Sequence, residues 1–271
     1  MTRERYWKQF SSREEATEAW DQGSKEVEKE HPLKLLKSLP KMDGISKETA
    51  KNLKWKAIKY MVQHDADGAI RKQVMKHPVR YVKNFVKSAL MKKPFTRSGD
   101  CFFYGIESVD EFKKLLKDPK RLFVLGFSYC HKPFECPSGR FTDQCIHDPE
   151  HPVCRQCFIG KAIHSLPDKN VIALLIPTVH YIGEQIFDIV HLNPEKDVVF
   201  LITACEMTLE MFGDLGNMAE VKGIGIRLDG RICNTMKAFE LSEQGIKPGL
   251  TVVLDETQRL MLSVIEESHM N

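Results

Sequence analysis

The sequence predicts an α/β protein, with a mainly parallel five-stranded sheet flanked by helices and preceded by a basic helical region. Three observations lead there. Beyond residue 100, short apolar runs rich in β-branched residues alternate with amphipathic segments of helical period, which is the pattern of a layered α/β domain. Those runs are nearly continuous rather than alternating, as in parallel strands covered on both faces. Charge is also unevenly spread. Residues 1–99 carry 23 Lys/Arg against 12 Asp/Glu, a net of +11, and residues 100–271 carry 17 against 25, a net of −8. The two add to the +3 of the whole chain. The predicted division is a basic helical region over 1–98 and a cysteine-rich α/β domain over 99–271, with a metal-binding loop at 128–157.

In the first region, Ser46 can cap a helix running to Val62, with apolar positions 55, 58, 61 and 62 on one face and lysines on the other. Gly68 marks a break, and Pro78 suits the first turn of the next helix. That helix gathers Val79, Val82, Phe85, Val86, Ala89 and Leu90 on one face, with Arg80, Lys83 and Lys87 beside them and Lys92 and Lys93 at its end. No acidic residue occurs from 76 to 97, and Pro94 stops the helix. In the second region strands are expected at 121–127, 171–177, 197–203, 222–228 and 250–254. Helices fall at 109–117, 157–164, 181–191, 207–216, 235–243 and 258–268. The stretch from Ser128 to Pro152 is too long, and too rich in Pro, Cys and His, for an ordinary connection.

With 271 residues, 42% hydrophobic and 28% charged, the composition is that of a soluble globular protein. No apolar run approaches the roughly 18 residues of a membrane span. The N-terminal residues Met1-Thr-Arg-Glu-Arg-Tyr-Trp-Lys8 lack the apolar stretch of a secretory signal. The chain is therefore expected to be cytoplasmic and its thiols reduced. Eight cysteines are too few for a disulfide scaffold, so a soft metal is the better explanation of their grouping.

Seven of the eight lie between 130 and 233. Cys130, Cys205 and Cys233 each follow an expected strand closely, which brings three thiols to the carboxyl edge of a parallel sheet, where such sheets bind ligands. Cys136, Cys145, Cys154 and Cys157 belong to the loop, the last two as Cys154-Arg-Gln-Cys157. A CxxC fits a zinc corner, an iron–sulfur site or a redox dithiol. The redox reading expects the motif directly after a strand, and here it follows an irregular loop. A closed zinc site could use Cys136, Cys145, Cys154 and Cys157, with His147 or His151 as substitutes. Seven thiols exceed one zinc tetrahedron, which favours an iron–sulfur cluster of the 4Fe-4S type, with zinc as the alternative. A cluster held by Cys130, Cys205 and Cys233 alone would leave one iron open to a substrate. Cys101, beside Phe102-Phe-Tyr104, reads as a core residue.

The segments Cys130…Cys136-Pro137…Cys154-Arg-Gln-Cys157-Phe-Ile-Gly160, Ala204-Cys205-Glu206 and Cys233-Asn234-Thr235 resemble an uncharacterised prokaryotic cysteine-rich family, domain of unknown function one hundred and sixteen. That family's pattern has a Cys-Leu, a Cys-Pro, a clustered CxxC, an Ala-Cys-Glu after a strand and a late Cys-x-Thr. The similarity covers about residues 120–240, under half of the chain. The sequence departs from the pattern at Cys145 and at the loop with His147 and His151. The resemblance implies a metal- or cluster-binding α/β domain, and it supplies no reaction.

Glu206 and Asp229 follow strands and are candidate acids or bases, although solvated carboxylates are common there. His180 follows a strand in the same way, as a candidate ligand or proton donor, and Glu206 and His180 are the catalytic candidates. Gly223-Ile-Gly225 lies within a strand and lacks the third glycine of a dinucleotide loop, and no phosphate-binding loop or serine elbow is present. Two functions stay open. One is a redox or small-molecule enzyme using a cluster at the sheet edge, with an electron donor protein and a small substrate as partners. The other is a non-catalytic interaction module with a structural zinc. Residues 78–93 could meet an anionic membrane surface or an acidic partner, but the favoured reading is an amphipathic helix whose apolar face packs on the body with its lysines in solvent, and few aromatics are available to stack on nucleic acid.

Overall fold

The computed structural model describes residues 4–35, 44–65, 67–90 and 94–269. After a short 3-10 turn at Tyr6–Gln9, helix α1 (Arg13–Glu30) begins where the Ser12 hydroxyl accepts the Glu15 amide, as a Ser-x-x-Glu spacing provides. Ser46 caps a helix as expected, but that helix, α2 (Lys47–Ala50), ends after one turn. Asn52 then takes a left-handed φ of 60°, and α3 (Leu53–His64) starts afresh. Gly68, at φ 69°, precedes α4 (Ala69–Lys76), and Pro78 opens α5 (Pro78–Ala89). The expected basic end of this helix, Lys92 and Lys93, lies outside the described residues.

The apolar faces read from periodicity are not the ones buried. On α3 the buried residues are Leu53, Ala57 and Tyr60, while Trp55 is 71% and Val62 72% exposed. On α5 the buried residues are Tyr81 and Ser88, while Val79, Val82, Val86 and Leu90 are 82, 55, 49 and 82% exposed. Polar bonds set this choice. The Tyr81 hydroxyl meets His191 Nε2 at 2.6 Å, and the Ser88 hydroxyl donates to Asp214 at 2.6 Å. The Asn84 amide donates to the Met218 carbonyl at 3.3 Å. Together these rotate the valine stripe outward.

The α/β part runs β1 (Thr96–Ser98), β2 (Cys101–Tyr104), α6 (Val109–Leu116), β3 (Arg121–Ser128), α7 (Pro152–Gln156), α8 (Phe158–His164) and β4 (Val171–Ile176). It continues with α9 (Val179–Leu192), β5 (Asp197–Ala204), α10 (Glu206–Met218), β6 (Lys222–Arg227), β7 (Asp229–Gly230), α11 (Met236–Ser242), β8 (Thr251–Val252) and α12 (Asp255–Glu267). Six strands form the sheet rather than five, in the order β1-β2-β6-β5-β3-β4. The four from β6 to β4 are parallel, and β2 and β1 extend the sheet antiparallel. The strand expected at 250–254 is not among them. Only Thr251 and Val252 pair, with Gly230 and Asp229, in a separate two-stranded ribbon.

Phe123, Leu125 and Phe127 of β3 turn to one face with α6, α8 and α12. Leu122 and Val124 turn to the other with α9 and α10, and Ile70 of α4 and Tyr81 of α5 join that second core. Chain order and spatial order part company between β3 and β5, where the crossovers also change face. This is the switch point at which open α/β sheets leave a crevice beyond the strand ends. Gly223 and Gly225 of β6 serve packing, since a Cβ on Gly225 would lie 2.5 Å from Leu209 and one on Gly223 would run into the Phe200 carbonyl.

Candidate thiol centres

The cysteines divide into two groups. Cys130 sits in a 3-10 turn (Tyr129–His131) that ends β3, and Cys205 in the N-cap position of α10 at the end of β5, so the two flank the switch point. Cys233 arrives from the loop after β7. All three are buried. Cys205 and Cys233 share an apolar cluster with Leu53, Ala57 and Tyr60 of α3, which closes over this edge of the sheet.

Polar partners for Cys130 and Cys233 come from the segment after Cys233, and that of Cys205 from its own helix. The Lys247 ammonium donates to Cys233 Sγ at 3.3 Å, and the Ser242 hydroxyl lies 3.9 Å from Cys130 Sγ and 3.0 Å from the Tyr129 hydroxyl. Cys205 Sγ is 3.2 Å from the Thr208 hydroxyl. A hydrogen bond from the Cys205 thiol, then the Lys247 charge, outweigh burial and draw Cys233 down to about 6. The same bond, followed by burial, holds Cys205 well above its ordinary value, and burial raises Cys130 against the pull of Lys247. Burial alone would lower Lys247, but the charges of Cys130, Cys233 and Cys205 overcome it and leave the ammonium above its ordinary value. Nearby, burial lifts the Glu243 carboxyl to about 8, even though its Oε2 accepts the Val179 amide at 2.7 Å.

The second group is the loop. Cys136, Cys145, Cys154 and Cys157 line one cavity of about 10 Å³ together with Lys132 and His147. That volume suits a single small species rather than an organic substrate. Main-chain amides point at the sulfurs: His147 toward Cys145, Asp148 toward Cys154, and Ile159 and Gly160 toward Cys157. Burial nevertheless lifts Cys154 to about 11 and Cys157 to about 12. Lys132 is fully buried and donates to the carbonyls of Gly139, Thr142 and Gln144 at 2.9, 3.1 and 2.7 Å and to the Thr142 hydroxyl at 2.9 Å. These acceptors are neutral, and burial lowers the ammonium against the opposing pull of Cys136, Cys145, Cys157 and Asp143. Arg140 ties the two groups together, donating to the carbonyls of Cys130, Lys132, Lys247 and Gly249 at 2.9–3.2 Å.

The CxxC turn is itself anchored. The Arg155 guanidinium stacks over Tyr6 and Trp20 at 4.6 and 4.8 Å, and donates to the Tyr6 hydroxyl and the Ala19 carbonyl. Gln156 donates to the His31 carbonyl at 2.9 Å. Helix α1 therefore holds the two residues between Cys154 and Cys157.

The donor chemistry of both groups suits a soft metal, with sulfur ligands and a buried cation beside each, and in the loop amide N–H groups on sulfur as well. Spacing separates the metals. A zinc ion with Zn–S bonds of about 2.3 Å draws its sulfurs to about 3.8 Å from one another. Among the described residues no three thiol sulfurs lie within 4.8 Å of one another.

The other candidates sit apart from the thiols. Glu206 is buried and ion-paired with Arg97 at 2.7 Å and Arg227 at 3.5 Å. Arg227 also holds Asp100 at 3.1 Å and Asp229 at 2.9 Å. His180 Nε2 meets Asp65 Oδ1 at 3.2 Å, and with Asp67 these form the one group of three ligand-type side chains within 4.8 Å among the described residues. Both aspartates also cap the start of α4, accepting the amides of Ile70, Arg71 and Ala69. Cys101 is core in β2, and burial raises it to about 11. Sequence reasoning missed Lys132, Arg140, Ser242 and Lys247. A lysine in a polar loop reads as solvent-exposed, and only tertiary structure places these two beside thiols. The chain was compared with family models, with curated proteins and with solved structures, and none of them matches it.

Proposed function

We propose that the protein carries an iron–sulfur cluster on Cys130, Cys205 and Cys233 at the carboxyl edge of the sheet, with a second soft-metal site in the loop of Cys136, Cys145, Cys154 and Cys157. The observation that supports this most is the convergence of three buried thiols from separate segments at the switch point, with Lys247 at 3.3 Å from one of them. A cluster of the 4Fe-4S type with three protein thiolates supplies an open iron, able to act as a Lewis acid or to pass an electron. The chain's own part is to supply the thiolates, to balance their charge with Lys247, and to keep bulk water out with α3. The function that follows is redox or small-molecule chemistry, served by an electron donor protein. The resemblance of 120–240 to a cysteine-rich prokaryotic family points the same way.

A second reading is a non-catalytic module in which zinc pins the loop. The ion-sized cavity between the four loop thiols favours it, and it is weakened because no three of their sulfurs lie within 4.8 Å of one another. The test is iron, sulfide and zinc analysis of protein prepared without oxygen, with visible and electron paramagnetic resonance spectra. Iron and sulfide in cluster stoichiometry support the first reading. Zinc alone, with no iron taken up on reconstitution, supports the second.

A further inference from the structure

One cavity shares its α3 wall, Leu53 and Ala57, with the cluster around Cys205 and Cys233. It is an open groove of about 660 Å³ between α3 and α5, floored by Met211, Phe212, Leu215 and Met218 of α10. Trp55 and Val62 stand on one rim and Val82 on the other. Val79, Val86 and Leu90 continue the α5 stripe outside the groove, all about half or more exposed. One apolar surface therefore spans two helices, and isolated monomers rarely leave such a surface bare.

Charge identifies what covers it. Residues 51–99 hold 13 Lys/Arg against 2 Asp/Glu, and those two acids, Asp65 and Asp67, are turned to the start of α4. Lys59, Lys72, Lys76, Lys83 and Lys87 are exposed around the stripe. Of the nearby acids, Asp214 is engaged by Ser88 and Lys54 and Glu220 by Arg80 at 2.6 Å, while Glu210 also lines the groove. A partner helix lying in the groove would leave Val79, Val86 and Leu90 uncovered, whereas a flat anionic surface covers both stripes at once. Among the described residues no helix is long and apolar enough to cross a membrane, and α3 and α5, at 12 residues each, suit interfacial contact.

We infer that α3 and α5 form a docking face for anionic lipid membranes, with Trp55, Val62, Val79, Val82, Val86 and Leu90 entering the interface and the flanking lysines meeting the headgroups. Basic amphipathic helices with aromatic and aliphatic faces bind in this way, each surface lysine adding attraction to anionic lipid. The inference does not depend on any metal.

The experiment is sedimentation of the full chain with vesicles of zwitterionic lipid alone and with roughly one-third anionic lipid, following tryptophan emission. Binding should need anionic lipid, weaken with salt and shift Trp55 emission to the blue, a shift that Trp55→Phe removes. Lys83→Glu with Lys87→Glu should lower partition at least roughly fivefold per lysine. Val82→Ser with Val86→Ser should lower it roughly tenfold. Thermal melts and circular dichroism confirm that these surface variants fold. Equal binding to neutral vesicles, no binding to anionic ones, or folded variants that bind as well as the parent overturn the proposal. So does self-association through the same valines, or capture of an acidic peptide, without vesicle binding.

Discussion

Glu243 shows how one buried group can set a pH dependence. Its carboxyl titrates near 8 in the fold, from burial first and then from the neighbouring Cys233 charge, against 4.5 as the ordinary value. A group raised in the folded state favours folding fully below its unfolded pKa, and that contribution is lost as pH rises through the folded one. Stability should therefore fall between about pH 4.5 and pH 8. Glu243→Gln keeps an acceptor for the Val179 amide and removes the titration. It should raise stability at neutral pH by up to about 3 kcal/mol and flatten the slope in this window, as denaturant titrations across pH would record. Lys132 gives the opposite expectation. Lys132→Met leaves four acceptors of the loop without the ammonium that gathers them. It should cost roughly 1–3 kcal/mol and weaken the loop's hold on the metal proposed there, measured by denaturation and metal analysis.

At the scale of elements, Gly160 and Arg155 hold the CxxC turn. A Cβ on Gly160 would lie 2.6 Å from the Cys154 carbonyl oxygen, and backbone cannot yield as a side chain can. Gly160→Ala should cost roughly 1–3 kcal/mol and loosen the loop site while leaving the strand-end thiols in place, a difference that thiol alkylation mapped by mass spectrometry would detect. The strands were legible because a doubly covered strand must be apolar along its middle, and β3, β4, β5 and β6 are, with polar residues mainly at their ends. Strand β1 was not, since Thr96-Arg-Ser98 is exposed and polar, and β2 is a run of only four residues. The helix faces were misread for a definite reason. Periodicity locates an apolar stripe but not its partner, and on α5 the bonds of Tyr81, Asn84 and Ser88 outcompete valine burial.

Over the whole molecule, the carboxyl edge of the sheet was legible because strand ends and thiols coincide in the sequence at 130 and 205. The division of seven cysteines into a strand-end set and a loop set also follows from their spacing, but what holds the loop could not be read, because its path depends on Lys132, Arg140 and α1, none of which is marked locally. That division is the central claim. Its most direct test is iron, sulfide and zinc content, with spectra, for Cys205→Ser and Cys233→Ser beside Cys136→Ser and Cys154→Ser, all prepared without oxygen. The account predicts that the first pair loses the cluster signal and its iron while the loop keeps its metal, and that the second pair loses the loop metal. Full iron content and unchanged spectra in both Cys205→Ser and Cys233→Ser would contradict it.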